Sequence, residues 1–80
     1  MFYTYILKSL TSERFYIGHT NNLELRLQRH NENKVTSTKN RGPWNLIYCE
    51  KYNTRSEAMK RERYLKSLKS RKSLEQLFSQ

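Results

Sequence analysis

Tyr16-Ile17-Gly18-His19-Thr20-Asn21-Asn22-Leu23-Glu24-Leu25-Arg26-Leu27-Gln28-Arg29-His30-Asn31 is the stretch around which the rest of the 80-residue chain is organised. It reads as a strand end, a capped turn and a helix. Asn21 or Asn22 supplies the N-cap, Glu24 stands three residues after Asn21, and Leu23, Arg26, Leu27 and His30 follow the i, i+3, i+4, i+7 spacing of one helical face. That stripe mixes two leucines with two ionisable side chains. A helix that only covers a core turns Arg and His toward water, where their hydration costs nothing, so their place on the apolar stripe points to a half-buried site. On the helix alone, an Arg26 that snorkels at the edge and a His30 that is a satisfied boundary residue is the simpler account.

The rest of the chain bounds what such a site could do. Eighty residues make one small domain with one modest core, taken as residues 1–80. A formal net charge of +9 and a pI near 10.0 point to a polyanionic partner, and for a compact basic domain that is nucleic acid. No apolar run approaches the roughly 20 residues needed to span a bilayer, and no signal peptide opens the chain, so the expected location is cytoplasmic, with no membrane partner. The single Cys49 lies in the apolar run Leu46-Ile47-Tyr48-Cys49 and is expected to pack as a small hydrophobe. All seven acidic residues are glutamates, and there is no Cys/His cluster with zinc spacing. The aspartate groups of two-metal nucleases are therefore missing, and at most one Mg²⁺ on one carboxylate is available.

Taken in order, Phe2-Tyr3-Thr4-Tyr5-Ile6-Leu7 alternates as a strand, with Tyr3, Tyr5 and Leu7 on one face and Phe2, Thr4 and Ile6 on the other. Arg14-Phe15-Tyr16-Ile17 is a second strand across a polar connection from Ser9 to Glu13. A hairpin centred between Leu10 and Thr11 would pair Tyr5 with Tyr16, in itself an ordinary cross-strand aromatic pair. Gly18 then marks a sharp turn or a close approach. The loop from Asn33 to Arg41 carries Lys34, Lys39 and Arg41, suited to phosphate contact or to plain solvation. Trp44-Asn45-Leu46-Ile47-Tyr48-Cys49-Glu50 reads as a third strand, apolar enough to be the middle of the sheet. Thr54-Arg55-Ser56-Glu57 is a capping box opening a helix to about Lys69, with Ala58, Arg61, Glu62 and Leu65 on one face. Half of the basic residues fall between Arg55 and Lys72, among them Lys66, Lys69 and Arg71, so one end of the molecule should be strongly positive. Residues 70–78 close the chain as a short helix docked through Leu74, Leu77 and Phe78.

Together these residues resemble the GIY-YIG nuclease superfamily, in particular its small stand-alone bacterial members related to the nuclease domain of the excinuclease C subunit. Tyr3-Thr4-Tyr5 stands where that family has its first tripeptide and Tyr16-Ile17-Gly18 where it has its second. The spacing from Tyr16 to Arg26 and on to His30-Asn31 fits as well, as does Ala58…Glu62…Lys66 on a helix. The resemblance runs from Tyr5 to about Lys66, within a motif core of about residues 3–66. It departs at Tyr3-Thr4, where the family name implies Gly-Ile, a change that removes no side chain the resemblance makes catalytic.

The resemblance implies an α+β fold, a three-stranded antiparallel sheet flanked by helices, and phosphodiester hydrolysis with one divalent metal, Mg²⁺ or Mn²⁺. It assigns Tyr16 as base or proton relay, Arg26 as the phosphate clamp, Glu62 as the metal ligand and Tyr5 as a hydrogen-bonder of phosphate or attacking water. Water attack at phosphorus needs a base, a counter-charge and help for the leaving oxygen, which these side chains can supply. His19 replaces a lysine of the excinuclease branch and His30 matches a histidine of other branches, with Asn31 as a structural hydrogen-bonder and Gly18 as a spacer. Lys34, Lys39, Arg41, Lys66, Lys69, Arg71 and Lys72 are the expected nucleic-acid contacts, with DNA the expected substrate. The expected species is a monomer that reads DNA structure or damage, with a protein partner as one source of specificity, because so small a domain cannot read a long site. The competing expectation is a non-catalytic nucleic-acid-binding module with the same fold. It accounts for the charge but not for Arg26, His30 and Glu62 each lying on an inward helical stripe.

Overall fold

The first strand, β1 (Phe2–Ser9), forms the spine of the molecule: Thr4, Tyr5, Ile6 and Leu7 are all buried, which requires cover on both faces. The computed structural model describes residues 1–68 and 70–78, so Lys69 lies outside the described residues. Antiparallel to β1 run β2 (Phe15–Thr20) on one side and β3 (Trp44–Tyr52) on the other, giving the strand order β2-β1-β3. The expectation that the third strand lies in the middle is thus corrected, since β3 is an edge. Its apolar run has a different cause. A bulge opposite Ile6 and Leu7 sets Tyr48 against Ile6 and Leu46 against Leu7, and both Ile47 and the neighbouring Tyr48 pack into the same core cluster.

The hairpin register also differs from expectation. Tyr5 faces Gly18, and Tyr16 faces Leu7, so Tyr5 and Tyr16 are diagonal neighbours rather than a direct pair. The reason is the longer turn, in which Glu13 takes a positive φ of 60° and the buried Ser9 hydroxyl accepts from the backbone of Thr11 and Ser12. A shift of two residues keeps every side chain on its face, so both tyrosines still point the same way. Gly18 does not end the strand. It lies inside β2 and serves a close approach.

The first helix, α1 (Leu23–Asn31), starts at Asn22, whose side chain accepts from Leu25 N at 3.1 Å, so the cap is Asn22 and not the Asn21–Glu24 pairing. It packs on the Tyr5 face, where Tyr5, Leu7 and Trp44 are buried among Tyr16, Leu23, Leu27 and Leu46. A short 3₁₀ turn, Thr36–Thr38, precedes β3. On the other face lie α2 (Arg55–Ser67) and α3 (Arg71–Phe78), where Ile6, Ile17, Leu65 and Leu74 form the second half of the core. Thr54 caps α2 as read, its Oγ1 accepting from Glu57 N at 3.2 Å, while the Glu57 carboxylate accepts from the Thr54 hydroxyl at 3.0 Å. Thr4 Oγ1 donates to Ala58 O at 2.8 Å, fixing α2 across the middle of β1. Cys49 departs from expectation. It is exposed, on a strand that forms the edge of the sheet.

Candidate active site

Tyr5, Tyr16, Gly18, Arg26 and His30 come together between the sheet and α1. A Cβ built on Gly18 would stand 2.6 Å from Tyr5 Oη, 2.8 Å from Tyr5 Cζ and 3.0 Å from Tyr16 Cε2, so glycine is required there for space, not for a left-handed backbone. The space is used to bring the two rings to 6.2 Å, while the His30 imidazole lies 4.8 Å from the Tyr16 ring and 6.0 Å from that of Tyr5. Tyr5 Oη and His30 Nε2 are 3.0 Å apart, and Arg26 Nε donates to Tyr5 Oη at 3.4 Å. His30 is fully buried, and its Nδ1 meets Thr38 Oγ1 at 2.7 Å.

The electrostatics follow from this enclosure. Burial pushes the Tyr5 phenol up to about 12, the hydrogen bond from Arg26 only partly opposing it. Burial, joined by the nearby Arg26 charge, pushes His30 down to about 4. Both are therefore neutral near pH 7, and Arg26 is the permanent charge among them. The Tyr5 hydrogen bond, the largest influence, raises the Arg26 pKa against the opposing effect of burial, with smaller contributions from Tyr16. A planar guanidinium set beside two phenols is a ready clamp for a phosphate oxygen.

Glu62 and His19 approach from the opposite face. His19 pairs with Thr4 in the sheet register, on the side that α2 covers. Its Nδ1 lies 2.6 Å from Glu62 Oε1, and Lys66 Nζ donates to Glu62 Oε2 at 2.7 Å. Burial pushes the Glu62 carboxyl up, but the Lys66 and His19 contacts outweigh it and hold the group below the usual carboxylate range. Since β2 is an edge strand, the two groups meet around its open side, near enough for the Glu62 charge to contribute to the rise of Tyr5.

Among the described residues there is no group of three or more His, Cys, Asp or Glu that could hold an ion. The chemistry of the donor set still suits one hard cation that keeps most of its waters. Glu62 offers two carboxylate oxygens, and Lys66, which holds one of them, is half exposed and able to swing away. Glu50 offers nothing comparable. It accepts from Tyr48, from Tyr52 at 2.7 Å and from Arg61 at 2.8 and 3.1 Å, and is thereby occupied.

The remaining residues fall elsewhere. Asn31 ties α1 to β3, its side chain donating to Trp44 O at 3.2 Å and accepting from Trp44 N at 2.6 Å. Lys34, Lys39 and Arg41 lie exposed on the loop around Thr38. Arg71 is turned to the hairpin, donating to Glu75 and to Glu13 O and stacking over Phe15, while Lys72 is exposed. Two features have no place in the sequence reading. One is Thr38, whose contact with His30 crosses an irregular loop that no periodicity reports. The other is a cleft of about 260 Å³ beside Arg26, lined also by Thr20, Asn21, Asn22, Leu25 and Arg29. The position of Arg29 three residues after Arg26 is the signal that could have found it.

A hairpin that brings two tyrosines together, with an arginine from the following helix beside them, is the arrangement the site presents. The model of the GIY-YIG catalytic domain matches residues 1–75, and the chain belongs to that family. Its similarity is specific: a UPF0213 protein of Oceanobacillus iheyensis is 43% identical over 67 residues, which span 82% of this chain and 77% of that protein. A UPF0213 protein of Clostridium perfringens is 41% identical over 80 residues, 99% of this chain and 85% of the relative. The solution NMR structure of a UPF0213 protein from Bacillus halodurans matches with a TM-score of 0.62 at 34% identity, covering 99% of this chain and 84% of that one.

Proposed function

We propose that this chain is an endonuclease that hydrolyses phosphodiester bonds of DNA, selecting sites by structure or damage rather than by a long sequence. The observation that carries the reading is the placement of Arg26. Its guanidinium sits on the inward side of α1, 3.4 Å from the Tyr5 hydroxyl and under the influence of Tyr16, where a merely solvated arginine would have no reason to be. Arg26 clamps the scissile phosphate and balances the charge that grows on it. Tyr16, whose ring lies beside those of Tyr5 and His30, relays the proton of the attacking water, taking it on the phenolic oxygen as its own proton passes to solvent, aided by the neighbouring cation. A Mg²⁺ or Mn²⁺ ion held by Glu62 would add positive charge at the phosphate. His19 holds Glu62 in place, and Lys39 and Arg41 steer the nucleic acid toward the α1 face.

One observation favours the non-catalytic binding module instead: both Glu62 oxygens are already taken by His19 and Lys66. A panel of plasmid, single-stranded, flap, bubble and RNA substrates, incubated with Mg²⁺, Mn²⁺ or EDTA, separates the two. Metal-dependent cutting of one or more substrates is expected; binding without cutting in every arm would leave only the module.

A further inference from the structure

We propose that Thr38 is a positioning residue: it holds His30 in the tautomer protonated on Nδ1, which commits the Tyr5 proton to His30 and leaves the Tyr5 oxygen to act toward the site only as a hydrogen-bond acceptor. The functional part of this inference rests on the nuclease reading above; the tautomer does not. A threonine hydroxyl has one proton, and the Val35 carbonyl, which can only accept, lies 3.4 Å from Thr38 Oγ1 inside the turn that carries it, so we assign the proton to that contact. With that proton on Val35 O, Thr38 Oγ1 accepts from His30 Nδ1 across the 2.7 Å contact, and the imidazole proton is assigned to Nδ1. A neutral imidazole carries only one N–H, so Nε2 bears a lone pair and Tyr5 must donate across the 3.0 Å contact. Arg26 Nε, which can only donate, fits the same direction at 3.4 Å. The hydrogen bonds thus run from Arg26 to Tyr5 to His30 to Thr38 to Val35, one way throughout.

The direction decides what Tyr5 can do. A phenol whose proton is committed inward cannot donate to a phosphate oxygen, which is itself an acceptor. It can accept from a water, and the guanidinium beside it remains free to hold the phosphate that this water attacks. Wholesale transfer of the proton to His30 is disfavoured, because burial holds the histidine near 4 and the phenol near 12. The opposite tautomer, with Thr38 donating to Nδ1 and Nε2–H donating to Tyr5, would free the phenolic proton for the phosphate, so the two arrangements give Tyr5 opposite roles.

The test is long-range proton–nitrogen correlation NMR of the imidazoles in the free protein, with His30 assigned through His30→Gln, together with cleavage kinetics on the best substrate of the panel. Wild type and Thr38→Ser should show His30 protonated on Nδ1 and bare on Nε2. Thr38→Val, which keeps the shape and removes the hydroxyl, should lose that single pattern and lower kcat at least tenfold with KM within twofold, while Thr38→Ser stays within about threefold of wild type. A proton on Nε2 in wild type, or an unchanged tautomer in Thr38→Val, overturns the proposal, and the wild-type and Ser spectra decide it even if the Val variant does not fold. A wild type with the expected tautomer and no cleavage of any substrate would sink the nuclease reading and leave the positioning of His30 intact.

Discussion

At the scale of single residues, the site depends on a missing side chain and two phenols. Gly18→Ala puts a methyl group where Tyr5 Oη and Cζ already stand, and Tyr5 is buried too tightly to step aside. The variant should lose about 1–3 kcal/mol in urea melts and separate the Tyr5 and His30 contacts. Tyr16→Phe removes one hydroxyl from a half-buried ring and should keep stability and affinity while cleavage disappears, since it takes away the oxygen that relays the proton. Cutting at the wild-type rate would reduce Tyr16 to a packing residue. His30 gives a pH signature. Its folded pKa, about 4, is depressed below the ordinary value of 6.5, so the stability it contributes is present above pH 6.5 and is lost as the pH falls toward 4. The loss should reach about 3 kcal/mol over that window, vanish in His30→Gln, and precede the titration of Glu50 and Glu62, whose carboxyls are held below their usual range. Arg26, Tyr5 and Tyr16 are the ionisable groups facing His30, and Arg26 and Tyr5, both raised, keep their charge states through that window. Spacing alone placed Arg26 and His30 on one inward stripe. Thr38 was not legible, because its partner is reached through a loop whose path depends on the whole fold.

At the scale of elements, α2 brings Glu62 to the open side of β2 already paired. Glu62→Gln removes the charge that His19 and Lys66 share, and because Lys66 is half exposed the loss in EDTA should be only about 1 kcal/mol, a fall of roughly 4–8 °C in Tm. Metal binding adds a second, separable difference. Mg²⁺ at about ten times its dissociation constant should raise wild-type stability by roughly 1.4 kcal/mol and leave Glu62→Gln unmoved. Equal melting of wild type in EDTA and in Mg²⁺ would remove Glu62 as a ligand. Helix starts were readable because capping chemistry is local, as Asn22 and Thr54 show. The position of β3 was not, since Leu46-Ile47-Tyr48 owes its continuous apolar character to a bulge that turns two successive side chains to one face. Nor was the hairpin register, which follows from a turn held by the buried Ser9 hydroxyl.

At the scale of the whole molecule, the +9 charge is unevenly available. Lys66, Arg61 and Arg71 are engaged with carboxylates, whereas Lys39 and Arg41 are exposed and form no ion pair among the described residues. Binding to duplex DNA should weaken steeply with salt, and neutralising Lys39 and Arg41 together should flatten the slope of log K against log salt by about 1.8. Neutralising Arg71 and Lys72 should flatten it less, and the reverse order would move the DNA track to the far helices. The open edge at β3 has a practical side as well. Cys49, the single cysteine of the chain, is exposed on that edge, directly across from Tyr5 in the ladder. A maleimide dye would therefore attach at one defined point without entering the core, turning the arrival of a nucleic acid beside Tyr5 into a change of colour or brightness.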